Sequence, residues 1–208
     1  MNTLFADTAA GLDPITLEVV RNKLDGIANE MQSTLLRSSF STVVKEGLDA
    51  SASLFTVEGE TLAQAIAIPI HLATLLPIVQ TLLNKFPVNA MAAGDLFSMN
   101  DPYLGGTHLP GIAIVMPAFH GARVIALSAA ITHHQNVGGM APGSVPPNAT
   151  DIYQEGIRIP PLKLRAAGVI NGTLMGLLKL NVRVPEMFLG DPGAQIAACT
   201  VAARRLDE

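Results

Sequence analysis

Leu17, Val20, Leu24, Ile27, Met31 and Leu35 recur at three- and four-residue steps. That is the period of one helix face. Asp13-Pro14 supplies a start, because Asp caps a helix and Pro suits its first position. The spacing therefore predicts a long amphipathic helix over residues 14–38, closed by a Ser-rich stretch. Residues 51–57 alternate as a strand, Glu58-Gly59 reads as a turn, and 61–70 as a second strand. Leu72, Leu75, Leu76, Val79, Leu82 and Leu83 give a helix over about 72–86. A short strand follows at 95–99. Further on come an extended stretch at 157–164, a helix at 174–182, another opening at Pro185-Glu186, and a last one from Asp191-Pro192 to about 206. Residues 1–12 read as a flexible lead. The fold class is mixed α/β of the α+β type, with antiparallel strands, a long N-terminal helix and several shorter ones. Strand order does not follow from the pattern.

Residues 112–120 and 123–132 are apolar, β-compatible runs separated by Gly121-Ala122. A two-residue loop with Gly first fits a type II′ hairpin turn. If His120 pairs with Arg123, pairing continues outward and Pro110 faces His133. His108 and His133 then become diagonal neighbours on one face, about 7–8 Å apart by the usual spacing. His134 and Asn136 point to the other face. Pro117 inside the first strand calls for an edge or a bulge. The hairpin joins two unusual blocks, Asn-Asp-Pro-Tyr-Leu-Gly-Gly-Thr-His-Leu-Pro-Gly at 100–111 and His-His-Gln-Asn-Val-Gly-Gly at 133–139. Two imidazoles brought together this way suit a transition metal ion.

Charged residues make up only 14 % of the 208 residues, and 49 % are hydrophobic. Charged residues are normally about a quarter of a chain, so large partner interfaces are expected. Apolar runs stay short of the roughly 18 residues that a membrane helix needs, and no secretory signal is evident. The single cysteine, Cys199, fits a reducing cytoplasm and reads as a core residue. A net charge of −4 without a basic cluster gives no support to nucleic-acid binding.

At these blocks the chain resembles the hydantoinase B/5-oxoprolinase family, which includes the B-type subunits of N-methylhydantoinase and the α subunits of acetone carboxylase. The matching stretches are Asp13-Pro-Ile-Thr-Leu-Glu-Val-Val, Lys45-Glu-Gly-Leu-Asp49-Ala-Ser, the 100–110 block, His133-His134-x-x-Val-Gly-Gly, Pro142-Gly-Ser, Tyr153-Gln-Glu-Gly-Ile-Arg-Ile-Pro-Pro and Asn181-Val-Arg-x-Pro-Glu. Three departures stand out. Gly111 replaces the family's Asp after His-Leu-Pro, and Asn136 replaces the Asp three residues after His133. Family members are also more than twice as long, so the chain reads as an N-terminal portion, truncated or split.

The resemblance implies ATP-dependent chemistry on a cyclic amide or a ketone. ATP is held by an A-type partner, which phosphorylates the substrate oxygen, and the B-type chain completes the reaction at a metal-dependent site. Expected ligands are His108 and His133, then Asp101, His134 and Asn136, for Zn, Mn, Fe or Ni. ATP is not expected on this chain, because no Gly-Lys-Ser/Thr follows either glycine pair, 105–106 or 138–139. Asp49 is either a turn acid or a catalytic acid. Glu155 is either a general base or a structural hydrogen-bonding group. His71 is either packed at a helix start or part of a pocket, and His120 is solvated. The competing expectation is a shortened, non-catalytic relative that only binds a partner.

Overall fold

The computed structural model describes residues 13–67, 69–143 and 145–208, with backbone alone at 69–72. The expected lead at 1–12 and the side chain of His71 lie outside the described residues. Helix α1 spans Pro14–Ser38. Asp13 Oδ1 accepts the N–H groups of Ile15 and Thr16, both at 3.0 Å. One short helix, α2 (Thr42–Lys45), precedes strands β1 (Ala50–Phe55) and β2 (Thr61–Gln64). The second strand is shorter than its pattern suggests, because α3 (Pro69–Lys85) begins within the expected run. Strands β3 (Leu96–Met99), β4 (Gly111–His120), β5 (Arg123–His133), β6 (Leu162–Ala166) and β7 (Val169–Ile170) follow, then helices α4 (Gly172–Leu180) and α5 (Pro185–Asp207).

All seven strands join one antiparallel sheet in the order β2-β1-β5-β4-β3-β6-β7. Alternation along the strands feeds two cores. Ala50, Ala52, Leu54, Ile114, Met116 and Ala130 meet α1 and α5 on one face. Phe55, Phe97, Ala113, Val115, Ala129 and Ile131 meet α3 on the other. The many Ala and Ser residues of β1 and β5 bring the α1/α5 layer close to the sheet. A third cluster, with Leu109, Val137, Ile159, Leu178 and Phe188, underlies the loops that carry the two blocks.

The β4–β5 hairpin begins as its sequence predicts. His120 pairs with Arg123, and Gly121 has φ +59 while Ala122 does not take positive φ, as a type II′ turn requires. The register then shifts at Ala118/Phe119, so His133 faces Gly111 and not Pro110. Ile125 is the extra residue, a β-bulge that the apolar pattern does not reveal. Pro117 lies in an inner strand, but β3 pairs no further than Val115, so β4 is locally an edge there.

Two expected helices, from Pro185 and from Asp191, are one continuous α5. Asp191 has the capping chemistry that the sequence suggests but serves another segment. Its Oδ1 accepts the N–H groups of Phe40 (2.8 Å) and Ser41 (3.1 Å), just ahead of α2.

Candidate functional site

The loop from β3 into β4 carries the first block. Asp101 opens a short 3-10 turn, Pro102–Leu104, by accepting Tyr103 N–H at 3.0 Å. Gly105 (φ +113) follows, and a Cβ there would meet Pro77 of α3 at 3.1–3.2 Å. Only glycine meets both conditions, so α3 fixes where this loop lies. Gly111 N–H then donates to His108 O (3.0 Å), and His134 N–H to Pro110 O (2.8 Å). These bonds fold residues 108–111 back against the end of β5.

The result is a contact between two imidazoles. His108 Nε2 and His133 Nδ1 are 2.9 Å apart. Thr107 Oγ1 lies 2.9 Å from His108 Nδ1 and sets the ring's orientation. Asp49, just before β1, approaches from the other strand. Its Oδ2 is 3.4 Å from His133 Nδ1, and its carbonyl accepts His133 N–H at 3.0 Å. The pairing expected from the hairpin thus exists, but His108 reaches it from a turn and not from the strand itself.

These separations match donor atoms around one ion. Ligand bonds of 2.0–2.2 Å place neighbouring donors about 3–3.5 Å apart. Among the described residues there is no ready-formed group of three or more His, Cys, Asp and Glu ligands. His108 and His133 offer two nitrogens at hydrogen-bonding distance from each other, with the Asp49 carboxylate beside them. Chemically the set fits a divalent transition metal. A Cβ on Gly111 would stand 3.2 Å from His108 Nδ1 and Cε1, against the ring.

The other expected ligands are engaged elsewhere. Asp101 is buried, and its Oδ2 is 3.4 Å from Arg158 Nε. His134 is fully buried on the opposite side, with its ring 5.2 Å from that of Phe188. Its Nε2 is 3.1 Å from Thr132 Oγ1, while its Nδ1 and the neighbouring Gln195 Oε1 have no hydrogen-bond partner among the described residues. Burial pushes the His134 imidazole down to about 4, against the pull of the Asp191 carboxylate. Asn136 Oδ1 accepts Gly138 N–H (3.2 Å) and Arg183 N–H (3.0 Å). Both its carbonyl lone pairs are thereby used in holding the glycine loop, so Asn136 is not positioned beside the histidine pair.

A cleft of about 410 Å3 opens beside His108, lined by Tyr103, Thr107, Thr150, Ile152 and Glu155 among others. Glu155 therefore shares a cavity with His108. The segment carrying it is pinned by Met140 N–H to Gln154 O (2.7 Å) and Ile157 N–H to Val137 O (2.8 Å). Arg183 braces the same loop through Gly138, Gly139 and Ala141 carbonyls at 2.6–3.1 Å. Sequence pattern alone gives Arg183 no role. Its place after Asn181-Val182 in a matching stretch is the available signal. His120 is exposed, as expected, and meets Asp207 at 2.8 Å.

The hydantoinase B/oxoprolinase family profile matches residues 13–208. The caprolactamase β subunit of Pseudomonas jessenii is 36 % identical over 95 % of this chain and 34 % of its own length. The B-type chain of a D-/L-hydantoinase, assigned provisionally, from Pseudomonas sp. (strain NS671) is 32 % identical over 95 % of this chain and 34 % of its own length. The crystal structure of the ATP-dependent caprolactamase from P. jessenii superposes with a TM-score of 0.85 at 34 % identity, covering 94 % of this chain and 34 % of that one. Nucleotide-free acetone carboxylase shares the fold, with a TM-score of 0.86 at 20 % identity over 94 % of this chain and 26 % of that one. The chain spans about a third of the length of the relatives it matches first.

Proposed function

Because the chain belongs to the hydantoinase B/oxoprolinase family, we propose that it supplies the histidine pair and cleft of a subunit that hydrolyses cyclic amides in an ATP-dependent hetero-oligomer. The observation that carries this is the 2.9 Å approach of His108 Nε2 to His133 Nδ1 at a cleft also lined by Glu155. Supporting it, the relatives include a caprolactamase β subunit and the B-type chain of a hydantoinase. ATP is held by an A-type partner, which phosphorylates the lactam oxygen and so turns a poor electrophile into one with a leaving group. A divalent metal at His108 and His133 would polarise the reacting oxygen or lower the pKa of a bound water.

The chain's own residues then have separate tasks. Thr107 fixes the His108 ring, and Asp49 holds His133 through both its carboxylate and its carbonyl. Glu155 accepts the proton from the attacking water as general base. The cleft walls orient the ring of the substrate.

The test is reconstitution with an A-type subunit, ATP and a panel of hydantoin, 5-oxoproline and caprolactam. Substrate-dependent ATP hydrolysis that His133→Ala abolishes is the expected result. Turnover unchanged by His133→Ala would contradict the proposal. A second reading, a non-catalytic partner-binding relative, is favoured by Gly111, where the family's carboxylate is missing. It predicts stable association with the partner and no turnover.

A further inference from the structure

Arg158 stands on an unusually fixed piece of backbone. The fully buried Asn100 donates Nδ2–H to Ile157 O (3.0 Å) and accepts Ile159 N–H on Oδ1 (2.6 Å). Its own N–H donates to Ile159 O (3.0 Å). Ile157 and Ile159 pack into the cluster beneath the loops, so alternation turns Arg158 outward between them. The guanidinium carbon lies 5.8 Å from the centroid of the Tyr103 ring and 5.7 Å from that of Tyr153, within cation–π range. Both rings are about three-quarters exposed, at 74 % and 76 %. Asp101 Oδ2 meets the guanidinium at Nε, 3.4 Å away. Among the described residues, the terminal nitrogens of Arg158 donate no hydrogen bond, and its one ion pair is the contact with Asp101. Arg183 is the contrast, since its terminal nitrogens are spent on three carbonyls.

An arginine met by a carboxylate at Nε, flanked by two aromatic rings and with Nη1 and Nη2 unengaged presents the fork that takes an oxyanion bidentately. Tyr103 also lines the cleft beside His108. We infer that Arg158, flanked by Tyr103 and Tyr153, is an oxyanion receptor at the rim of this cleft, taking a phosphate or carboxylate group of the ligand. Asp151 and Glu155 line the same cleft. They repel an anionic end, so the charged group of a ligand docks at Arg158 and its neutral part falls toward His108. Binding at Arg158 is independent of the function proposed above. Only the identity of the oxyanion, a substrate's phosphoryl or carboxylate group, rests on that reading.

The plain alternative is that Arg158 merely neutralises Asp101. Two-dimensional NMR of the full chain, titrated separately with inorganic phosphate and with acetate at constant ionic strength, separates the two. The expected result is saturable shifts of the Tyr103 and Tyr153 ring signals. Arg158→Gln weakens binding about tenfold or more, as the loss of a charged double hydrogen bond does. Arg158→Lys weakens it too, because an ammonium lacks the planar fork. Stronger binding of phosphate assigns the site to a phosphoryl group, and stronger binding of acetate to a carboxylate. The double variant Asp101→Asn/Arg158→Gln controls for folding. It regains the thermal stability lost in Arg158→Gln but not the anion binding. No saturable shift with either anion, or equal binding by wild type and a folded Arg158→Gln variant, overturns the inference. The readout needs neither metal nor turnover, so its failure is distinct from failure of the His108–His133 proposal.

Discussion

His134 is enclosed completely, beside a histidine that meets solvent, and the two neighbours differ in consequence. Its folded-state value of about 4 lies below the ordinary 6.5 because burial penalises the charged ring. The unfolded chain therefore binds a proton between these values while the folded chain does not. Stability is full above about pH 6.5 and falls as pH drops toward 4, by about 2–3 kcal/mol at the end of that window. Urea unfolding at pH 7 and pH 4.5 measures the fall, and His134→Gln, compared over the same range, should remove most of it. An equal slope in both proteins would contradict this origin.

Gly111 and Asn136 make a second contrast among single residues. Both stand where the resemblance leads one to expect acids, yet only position 111 faces the histidine pair. Gly111→Asp places a carboxylate against the His108 ring and should raise Zn2+ or Mn2+ affinity about tenfold or more, in line with adding a charged ligand. Asn136→Asp puts charge where two backbone N–H groups are already satisfied and should leave affinity unchanged. Isothermal titration of each variant decides it. In the sequence both departures look like lost ligands. The difference depends on where each side chain points, which a motif does not record.

At the scale of elements, periodicity is a sufficient guide wherever one face of a helix or strand is buried. The bounds of α1 follow from Asp13-Pro14 and the apolar steps, and the hairpin turn from Gly121-Ala122. What escapes it are features set by partners distant in the chain. The bulge at Ile125 moves His133 opposite Gly111 without disturbing the apolar pattern. Asp191 reads as a local cap, but its carboxylate serves Phe40 and Ser41. Its contribution is measurable, because Asp191 is 1 % exposed. Asp191→Ala leaves the Phe40 and Ser41 N–H groups without their acceptor and should cost about 2–4 kcal/mol in urea unfolding. A loss under about 0.5 kcal/mol, typical of an exposed surface change, would show that the contact is dispensable.

For the molecule as a whole, the low charge content of the sequence has a visible counterpart. The first half of α1 is exposed almost throughout, including Ile15 (76 %), Leu17 (58 %) and Val19 (62 %), whereas Ile27, Met31 and Leu35 are buried. A helix half without tertiary packing is marginal in water. In the isolated chain, amides of residues 16–23 should exchange with deuterium well before those of 27–35, as weakly packed segments do. Uniform protection along α1 would contradict this reading. The sheet order and the layer of helices on each face are not legible in the sequence, because they depend on which strands meet and not on how each one alternates.

His108 and His133 together form the proposed chemical centre of this chain. Elemental analysis of the purified protein, after loading with Zn2+ or Mn2+ and desalting, tests that claim most directly. The expected result is about one bound ion per chain, as a single shared site requires, lost in His108→Ala/His133→Ala while the variant stays folded. Equal metal content in a folded double variant, or no retained metal in the wild type and in Gly111→Asp, would contradict it.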